Sequence, residues 1–319
     1  YKTMQGFKVN RKAGWDTHGL PIELSVEKTL GIKKEDIGTT ITVEEYNAAC
    51  RKEVMKYTDL WEKLTAQMGY WVDMSDPYIT YDNKYIESVW WLLQQLQEKN
   101  LLYKGFTIQP YSPAAGTGLS SHELNQPGCY KEVKDTSAVA QFKTINAKSK
   151  LGLDSSLNVY ILAWTTTPWT LPSNVALAVG EKITYDIVES YSPFGNERAL
   201  FIVAAPLREK YFPSANGEDL DGFEMGSKKI PNQLKQSIAG KDLVGIDYEQ
   251  LLPFVQPTDG EAFKVISGDF ITTEDGTGIV HIAPSFGADD FRVAKQFGMG
   301  NLTLVDKRGK FIPEVQDGT

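Results

Sequence analysis

The chain has 319 residues, of which 41% are hydrophobic and 11% aromatic, enough for the cores of two domains of ordinary size. Its formal net charge of −8 excludes a general attraction for polyanions, so any contact with nucleic acid requires a local basic patch. Its two cysteines exclude a disulfide scaffold, and no apolar run reaches the roughly 20 residues of a membrane span, so we expect a soluble, cytoplasmic protein without membrane contact.

The chain begins with Tyr1 in the middle of a pattern, and we expect it to be a piece of a longer protein. A helix is predicted over residues 42–68, because Thr42 and Glu45 have the spacing of a capping box and apolar residues recur every three or four positions. We expect these apolar residues to form a stripe along the helix that is buried in the core. Its members are Tyr46, Cys50, Val54, Tyr57, Trp61, Leu64 and Met68.

A second helix is predicted to begin after Asp82 as N-cap and to end around Asn100, before Gly105. Its apolar residues also recur at helical spacing, and we expect them to be buried. They are Ile86, Val89, Trp90, Leu93 and Leu96.

After residue 135 the pattern changes to short β-rich runs separated by Gly, Pro and Asn, which indicates a second, mostly β domain. The runs are "SAVAQFKTI", "NVYILAW", "VALAV", "YDIVES", "ALFIVAA", "FKVISGDFI" and "GIVHIA". We place the boundary at "KEVKDT", giving domains 1–134 and 135–319. The best basic patch is the polar, loop-like "GSKKIPNQLKQSIAGK", with Lys228, Lys229, Lys235 and Lys241, although a solvated surface is the stronger interpretation.

The segment "KAGWDTHGLPIE" places Asp16 and His18 between two glycines, before a helix that begins near Pro21. Glycine allows a ligand to approach the backbone closely, and a carboxylate in such a turn suits an ammonium group. From these residues alone, the stronger interpretation is that Asp16 and His18 form hydrogen bonds within the turn itself.

The segment "WTTTPWTLPSN" ends a predicted strand with three threonines, followed by Pro168. Their hydroxyls take no part in the hydrogen-bond ladder of a sheet, and each hydroxyl can both donate and accept a hydrogen bond. Such groups suit the positioning of a water beside an ester carbonyl. Ordinary strand threonines remain an alternative. In "GTGIVHIAPSFGADDF", His281 is compatible with a satisfied core histidine, and the G-x-G lacks the third glycine of an NAD fingerprint.

These motifs resemble segments of class I aminoacyl-tRNA synthetases of the isoleucyl type. Two further segments share the resemblance: "SPAAGTGLSSHE" and the stretch from "GYWVDMSDPYIT" to "LLYKG". The resemblance covers nearly the whole chain. It implies an α/β protein, in which a partial Rossmann-type nucleotide-binding domain with a helical connection precedes the editing domain. The editing domain is expected to be mostly β, barrel-like, with short helices.

The resemblance also implies site residues. It assigns catalytic roles to Thr165, Thr166, Thr167 and Asp290, the last as the ammonium-binding carboxylate. Substrate contacts are expected from His281, which selects by size, and from Asn174, Trp164 and Gly276; Asp16 would bind the amino acid's ammonium group in the synthetic site. Asp289 occupies a position where many relatives have glutamate and is not chosen.

The implied function of the full enzyme is the ATP- and Mg-dependent attachment of isoleucine to tRNA(Ile), with hydrolysis of valyl-tRNA in the editing domain. The ATP signatures H-x-G-H and K-M-S-K-S are absent from this chain, so no cofactor is expected here. "SPAA" stands where some relatives have C-P-x-C, so no metal is expected either. The alternatives are a valyl or leucyl relative, and a non-catalytic tRNA-docking module.

Overall fold

The computed structural model describes residues 1–193, 197–224 and 226–316. The chain divides into two compact units, residues 1–106 and residues 107–319. The predicted boundary segment "KEVKDT", residues 131–136, lies within residues 125–137, which carry no helix or strand.

The first unit is built on two parallel strands, which require a long crossover between them. They are β1 (Lys12–Trp15) and β2 (Asp73–Ile79). The helices are α1 (Leu20–Leu30), α2 (Val43–Val54), α3 (Thr58–Gln67) and α4 (Asn83–Glu98). A parallel pair with helical connections agrees with the α/β class expected for this part of the chain.

The helix predicted over residues 42–68 is two helices. The capping box is confirmed, since the Thr42 hydroxyl accepts a hydrogen bond from the Glu45 amide at 3.2 Å and the Glu45 carboxylate accepts one from the Thr42 amide at 3.0 Å. The chain then breaks at residues 55–57, where the Thr58 hydroxyl donates to the Met55 carbonyl at 3.0 Å. This side-chain bond satisfies a carbonyl at the end of α2 and permits α3 to begin separately.

The expected burial of the helical stripes is largely wrong. On α2 and α3, Tyr46 is 8% exposed but Trp61 is 56% exposed. On α4, which begins after Asp82 as predicted, Ile86 is half-buried whereas Trp90 is 67% exposed. The two strands of this unit cover too little area to bury every apolar face, and periodicity alone does not show how much surface is available.

In the residues that the structure describes, the second unit has ten strands. They are β3 (Tyr111–Ser112), β4 (Thr117–Gly118), β5 (Ala138–Lys143), β6 (Val159–Thr165), β7 (Ala176–Val179), β8 (Thr184–Tyr191), β9 (Arg198–Ala204), β10 (Asn232–Ala239), β11 (Lys264–Ser267) and β12 (Ile279–Ile282). Its helices are short: α5 (Ser121–Leu124), α6 (Ala147–Leu151), α7 (Arg208–Tyr211), α8 (Gly240–Leu243), α9 (Ala288–Gln296) and α10 (Pro313–Gln316). All seven predicted β-runs are strands.

Two sheets organise this unit. The five-stranded sheet has the order β10-β8-β9-β6-β5, and the three-stranded sheet has the order β11-β7-β12. Strand β7 is buried on both faces: Leu177 and Val179 pack into one core cluster, Ala176 and Ala178 into another. In the part of the chain that the structure describes, neither sheet closes on itself, so the barrel-like detail of the expectation is wrong.

The polar stretch predicted as a loop contains β10, which pairs antiparallel with β8. A register shift between Leu234 and Gln236 breaks its alternation, and only its ends are buried, so the sequence shows no period of two. Lys235 contacts the buried Glu189 at 3.1 Å. All four lysines of this patch are exposed, but Lys235 is already paired.

Candidate active site

The threonine segment folds on itself where β6 ends. Pro168 has no N–H to continue a ladder and begins a 3₁₀ helix, Pro168–Ser173. The Thr165 hydroxyl accepts a hydrogen bond from the Thr167 amide at 3.0 Å, and the Thr170 hydroxyl donates to the Thr167 carbonyl at 2.8 Å. These local bonds hold the loop in one conformation.

A tight glycine turn brings β12 against the end of β6. Gly276 and Gly278 have φ of +73° and +71°, the left-handed region that favours glycine. A Cβ on Gly276 would lie 2.9 Å from the Trp164 ring, and a Cβ on Gly278 would lie 2.4 Å from Ala204. Between them, Thr277 accepts a hydrogen bond from the Trp164 amide at 3.2 Å. The G-x-G motif therefore serves close packing, which positions β12 opposite the threonine loop.

A cavity of about 350 Å³ lies between the threonine loop, β12 and the start of α9. Its volume is within the range of small-molecule sites, about 300 to 1,000 Å³. Six of the predicted site residues line it: Trp164, Thr165, Thr166, Thr167, His281 and Asp290. The other lining residues are Trp169, Thr170, Val280, Ala283 and Phe286.

Asp290 is the carboxylate of this cavity. It lies in the first turn of α9, and its Oδ1 accepts a hydrogen bond from the Ala283 amide at 2.8 Å. Burial raises the pKa of this carboxyl, although the Ala283 amide opposes the shift. Asp289, by contrast, is exposed and contacts Arg292 at 3.2 Å. Asp290 alone of the two adjacent aspartates can offer a charge to a ligand in the cavity.

His281 lies on β12, paired with Leu177 of the central strand β7, and is 7% exposed. Its Nε2 is 3.0 Å from the Thr170 hydroxyl. Burial lowers the pKa of His281 to about 4, so the ring is neutral at pH 7. The ring therefore gives the cavity a bulky, uncharged wall.

Asn174 and Gly276 lie outside the cavity lining. Asn174 is buried, donates to the Ala176 carbonyl at 2.8 Å and accepts from the Tyr248 hydroxyl at 2.7 Å, so its amide is occupied in the core. Gly276 packs behind Trp164. Gly276 thus allows the close approach of the lining residue Trp164, whereas the side-chain hydrogen bonds of Asn174 are made to residues outside the lining.

Sequence reasoning did not single out Thr170. The available signal is the order Thr167, Pro168, Thr170: a threonine before a proline is a common helix start, and a hydroxyl three residues later returns to the first turn. Phe286 and Ala283 carry no comparable signal, because they line the cavity through tertiary packing alone.

Asp16 lines a separate cavity, of about 490 Å³, in the first unit. It follows β1, and Thr80 follows the parallel strand β2, so both lie at the carboxyl edge where ligands bind in such sheets. The Thr80 hydroxyl contacts the Thr17 amide at 2.9 Å and His18 Nδ1 at 3.0 Å, which shapes the turn around the exposed Asp16. Thr80 was not predicted as a site residue.

A third cavity, of about 610 Å³, lies in the second unit against β5, β6, β8 and β9. Its lining includes Phe201, Phe212 and Lys228, but no carboxylate and no histidine. It is larger than the cavity at the threonine loop, yet it has no group to hold an ammonium. We take the cavity at the threonine loop as the candidate active site because six of the predicted site residues line it.

Within residues 1–193, 197–224 and 226–316, no cluster of three or more His, Cys, Asp or Glu has the arrangement of a metal site. Over the same described ranges, every helix is too short or too polar to cross a membrane.

The lining groups define what the cavity can do. The carboxylate of Asp290 suits an ammonium, and the neutral His281 and the rings of Trp164 and Phe286 limit the size of a side chain. The threonine hydroxyls can hold a water and a carbonyl oxygen. This combination fits hydrolysis of an α-amino ester of a small amino acid.

The sequence profile of the family "tRNA synthetases class I (I, L, M and V)" matches residues 1–296. The chain is similar to the isoleucine–tRNA ligase of Bacteroides fragilis, with 61% identity over 316 residues, covering 99% of this chain and 27% of that protein. The enzyme of the same name from Cytophaga hutchinsonii is 60% identical over 328 residues, covering 99% and 29%. That of Clostridium tetani is 47% identical over 316 residues, covering 99% and 27%.

The chain thus spans 27% of the length of the first of these relatives. Among solved structures, the chain matches the editing domain of the P. falciparum cytosolic leucyl-tRNA synthetase with a TM-score of 0.35 and 11% sequence identity. The match covers 49% of this chain and 63% of that one. A TM-score of this size does not establish a common fold.

Proposed function

The chain belongs to the class I tRNA synthetases, and from that premise we propose that residues 135–319 hydrolyse aminoacyl-tRNA esters of amino acids smaller than isoleucine. The observation that carries the proposal is the single cavity shared by Thr165, Thr167, His281 and Asp290. Mischarged valyl-tRNA is the substrate we propose.

Such a second site is needed because a pocket that binds isoleucine rejects valine poorly. The loss of one methylene from the side chain changes the free energy of binding by only about 1 to 3 kcal/mol. Isoleucyl-tRNA synthetase is itself the standard example of this limit. A smaller hydrolytic pocket discards the wrong product and excludes the right one by size.

In this mechanism the Asp290 carboxylate binds the α-ammonium of the substrate, which fixes the ester in the cavity. His281 and Trp164 set the largest side chain that fits. The hydroxyls of Thr165, Thr166 and Thr167 hold the attacking water and the ester oxygen as the carbonyl becomes tetrahedral. The 3′-terminal ribose hydroxyl of the tRNA shares in activating the water, and no covalent intermediate on the protein is required.

For the whole protein, of which this chain is a part, we propose isoleucine–tRNA ligase activity in the cytoplasm, with isoleucine, ATP, Mg and tRNA(Ile) as ligands. The identity of 61% with the Bacteroides fragilis relative supports this substrate assignment. Asp16 then binds the ammonium of isoleucine in the first unit.

The test is to incubate the chain with valyl-tRNA and with isoleucyl-tRNA, both made with the isoleucine anticodon, and to follow the loss of each ester. We expect faster loss of the valyl ester. Equal stability of both esters, with a chain shown to be folded by circular dichroism, would overturn the proposal.

A further inference from the structure

The cavity of about 610 Å³ against β5, β6, β8 and β9 takes no part in the proposed hydrolysis. Its floor is apolar: Leu162, Phe201 and Phe212 line it and are 4%, 2% and 9% exposed. The rings of Phe201 and Phe212 are 5.7 Å apart and tilted by 32°, and Tyr191 and Tyr211 add two further rings to the lining. We call this space the aromatic cavity, and its volume is within the range of small-molecule sites.

Three hydroxyl groups in the lining of the aromatic cavity are already engaged with the backbone. They donate to carbonyl oxygens over 2.8 to 2.9 Å: Ser190 to Pro231, Tyr191 to Leu220 and Tyr211 to Gly276. Because a hydroxyl carries one proton, these groups hold the wall in place and have no hydrogen left for a ligand.

Two nitrogen donors in the lining are still available. The ammonium of Lys228 is exposed and has no partner among the described residues. Gln141 accepts a hydrogen bond from the Ser192 hydroxyl at 3.3 Å through its Oε1, which leaves its Nε2 to donate. No acid is among the described residues that line the cavity. A ligand that satisfies these donors must present acceptors, and a carboxylate does so with a full negative charge.

Lys228 belongs to the basic stretch "GSKKIPNQLKQSIAGK", the best patch in the sequence for contact with nucleic acid. The structure separates its lysines, since Lys235 pairs with Glu189 at 3.1 Å and neither Lys229 nor Lys241 lines the aromatic cavity. A chain of phosphates is bound by several cations together. One lysine beside an apolar floor suits a small anion instead.

From this combination we propose that the aromatic cavity binds a small aromatic carboxylate. The ring of the ligand packs against Phe201 and Phe212, and its carboxylate accepts hydrogen bonds from Lys228 and Gln141. This site shares no lining residue with the cavity at the threonine loop. The inference does not depend on the proposed function, because binding is measured without any ester.

The probe is 2-naphthoate, and its binding to the chain is measured by isothermal titration calorimetry. Lys228→Met removes the charge and keeps an apolar side chain of similar length. The matched control is Lys229→Met, since this neighbouring lysine is also exposed but lies outside the lining. We expect Kd to rise about five- to tenfold in Lys228→Met, the effect of one exposed charged partner, and to stay within about twofold in Lys229→Met.

The neutral alcohol 2-naphthylmethanol separates the charge of the ligand from its ring. We expect it to bind the unaltered chain about five- to tenfold more weakly than 2-naphthoate does, with a Kd that Lys228→Met leaves unchanged. Nuclear Overhauser effects between the naphthyl protons and the methyl groups of Leu162 and Ile230, which both line the cavity, locate the bound probe.

The inference is overturned if the folded chain does not bind 2-naphthoate at millimolar concentration, or if the two lysine variants bind it equally well. Equal affinity for the acid and the alcohol overturns it too, as do Overhauser effects to residues of the first unit alone. If the chain hydrolyses no ester, the proposed function fails, while these binding measurements still decide the inference.

Discussion

At the scale of single residues, the proposed binding of the substrate's ammonium group depends on the negative charge of Asp290. Asp290→Asn keeps the shape but replaces a charge-assisted hydrogen bond, worth about 1.5 to 3 kcal/mol, with a neutral one. We expect kcat/KM for valyl ester hydrolysis to fall about 10- to 100-fold. Steady-state assays with valyl-tRNA measure this directly.

The neighbouring Asp289 provides the matched control. It is exposed and contacts Arg292 at 3.2 Å, outside the cavity lining. Asp289→Asn should leave kcat/KM within about twofold, since exposed ion pairs contribute about 0 to 1 kcal/mol. Equal losses in the two variants would show that the wrong carboxylate was assigned.

His281 makes stability depend on pH in a defined direction. Burial lowers its pKa to about 4 in the folded chain, whereas an unfolded histidine has a pKa of about 6.5. The unfolded state therefore binds more protons between these values, and stability present above pH 6.5 is lost as the pH falls towards 4. The loss amounts to about 3 kcal/mol.

Urea unfolding at pH 7 and at pH 4.5 tests this dependence, with His281→Gln as the comparison because glutamine does not titrate. The unaltered chain should lose about 2 to 3 kcal/mol more than the variant between the two pH values. An identical loss in both would mean that His281 is not held neutral by burial.

At the scale of elements, a cluster of ion pairs around one buried carboxylate joins β8, β9 and β10. Glu189 on β8 has a side chain only 8% exposed and contacts Arg198 of β9 at 2.7 Å and Lys235 of β10 at 3.1 Å. Burial alone would raise the pKa of the Glu189 carboxyl, but hydrogen bonds from Lys235 and Arg198 hold it below its ordinary value.

Removing one cation leaves the buried carboxylate of Glu189 with only one of its two positively charged partners. We expect Arg198→Met to reduce the free energy of unfolding by about 1 to 3 kcal/mol, as for the loss of a hydrogen bond to a buried charge. The control is Lys210→Met, whose pair with Asp275 at 3.5 Å is exposed on both sides and contributes about 0 to 1 kcal/mol. Equal effects in denaturant unfolding would contradict a special role for the cluster.

The elements also show where sequence patterns predict structure and where they do not. Strands buried on at least one face, such as β6 and β9, have long apolar runs and were predicted. Strand β10 was missed because four consecutive residues at its centre are exposed and its register shifts at Leu234/Gln236. The break between α2 and α3 carries no glycine or proline, so local signals do not mark it.

At the scale of the whole molecule, the cavity depends on contacts between distant parts of the chain. Thr165 and Asp290 meet because β12 packs against β6, a tertiary contact that no periodicity contains. The resemblance to a family predicted that these residues form a site. The chemistry of the individual side chains showed only which groups they are able to bind. The burial of Asn174 in the core and the packing of Gly276 against Trp164 depend on tertiary contacts, which neither pattern nor resemblance specifies.

We propose that the cavity at the threonine loop binds the aminoacyl end of an ester whose side chain is small. A crystal structure of the chain with a non-hydrolysable valyl-adenosine analogue tests it most directly. We predict the analogue's ammonium within hydrogen-bond distance of Asp290, its side chain against His281, and its carbonyl facing Thr165 to Thr167. An analogue bound only in the cavity of Asp16, or one whose ammonium does not contact Asp290, would contradict the account.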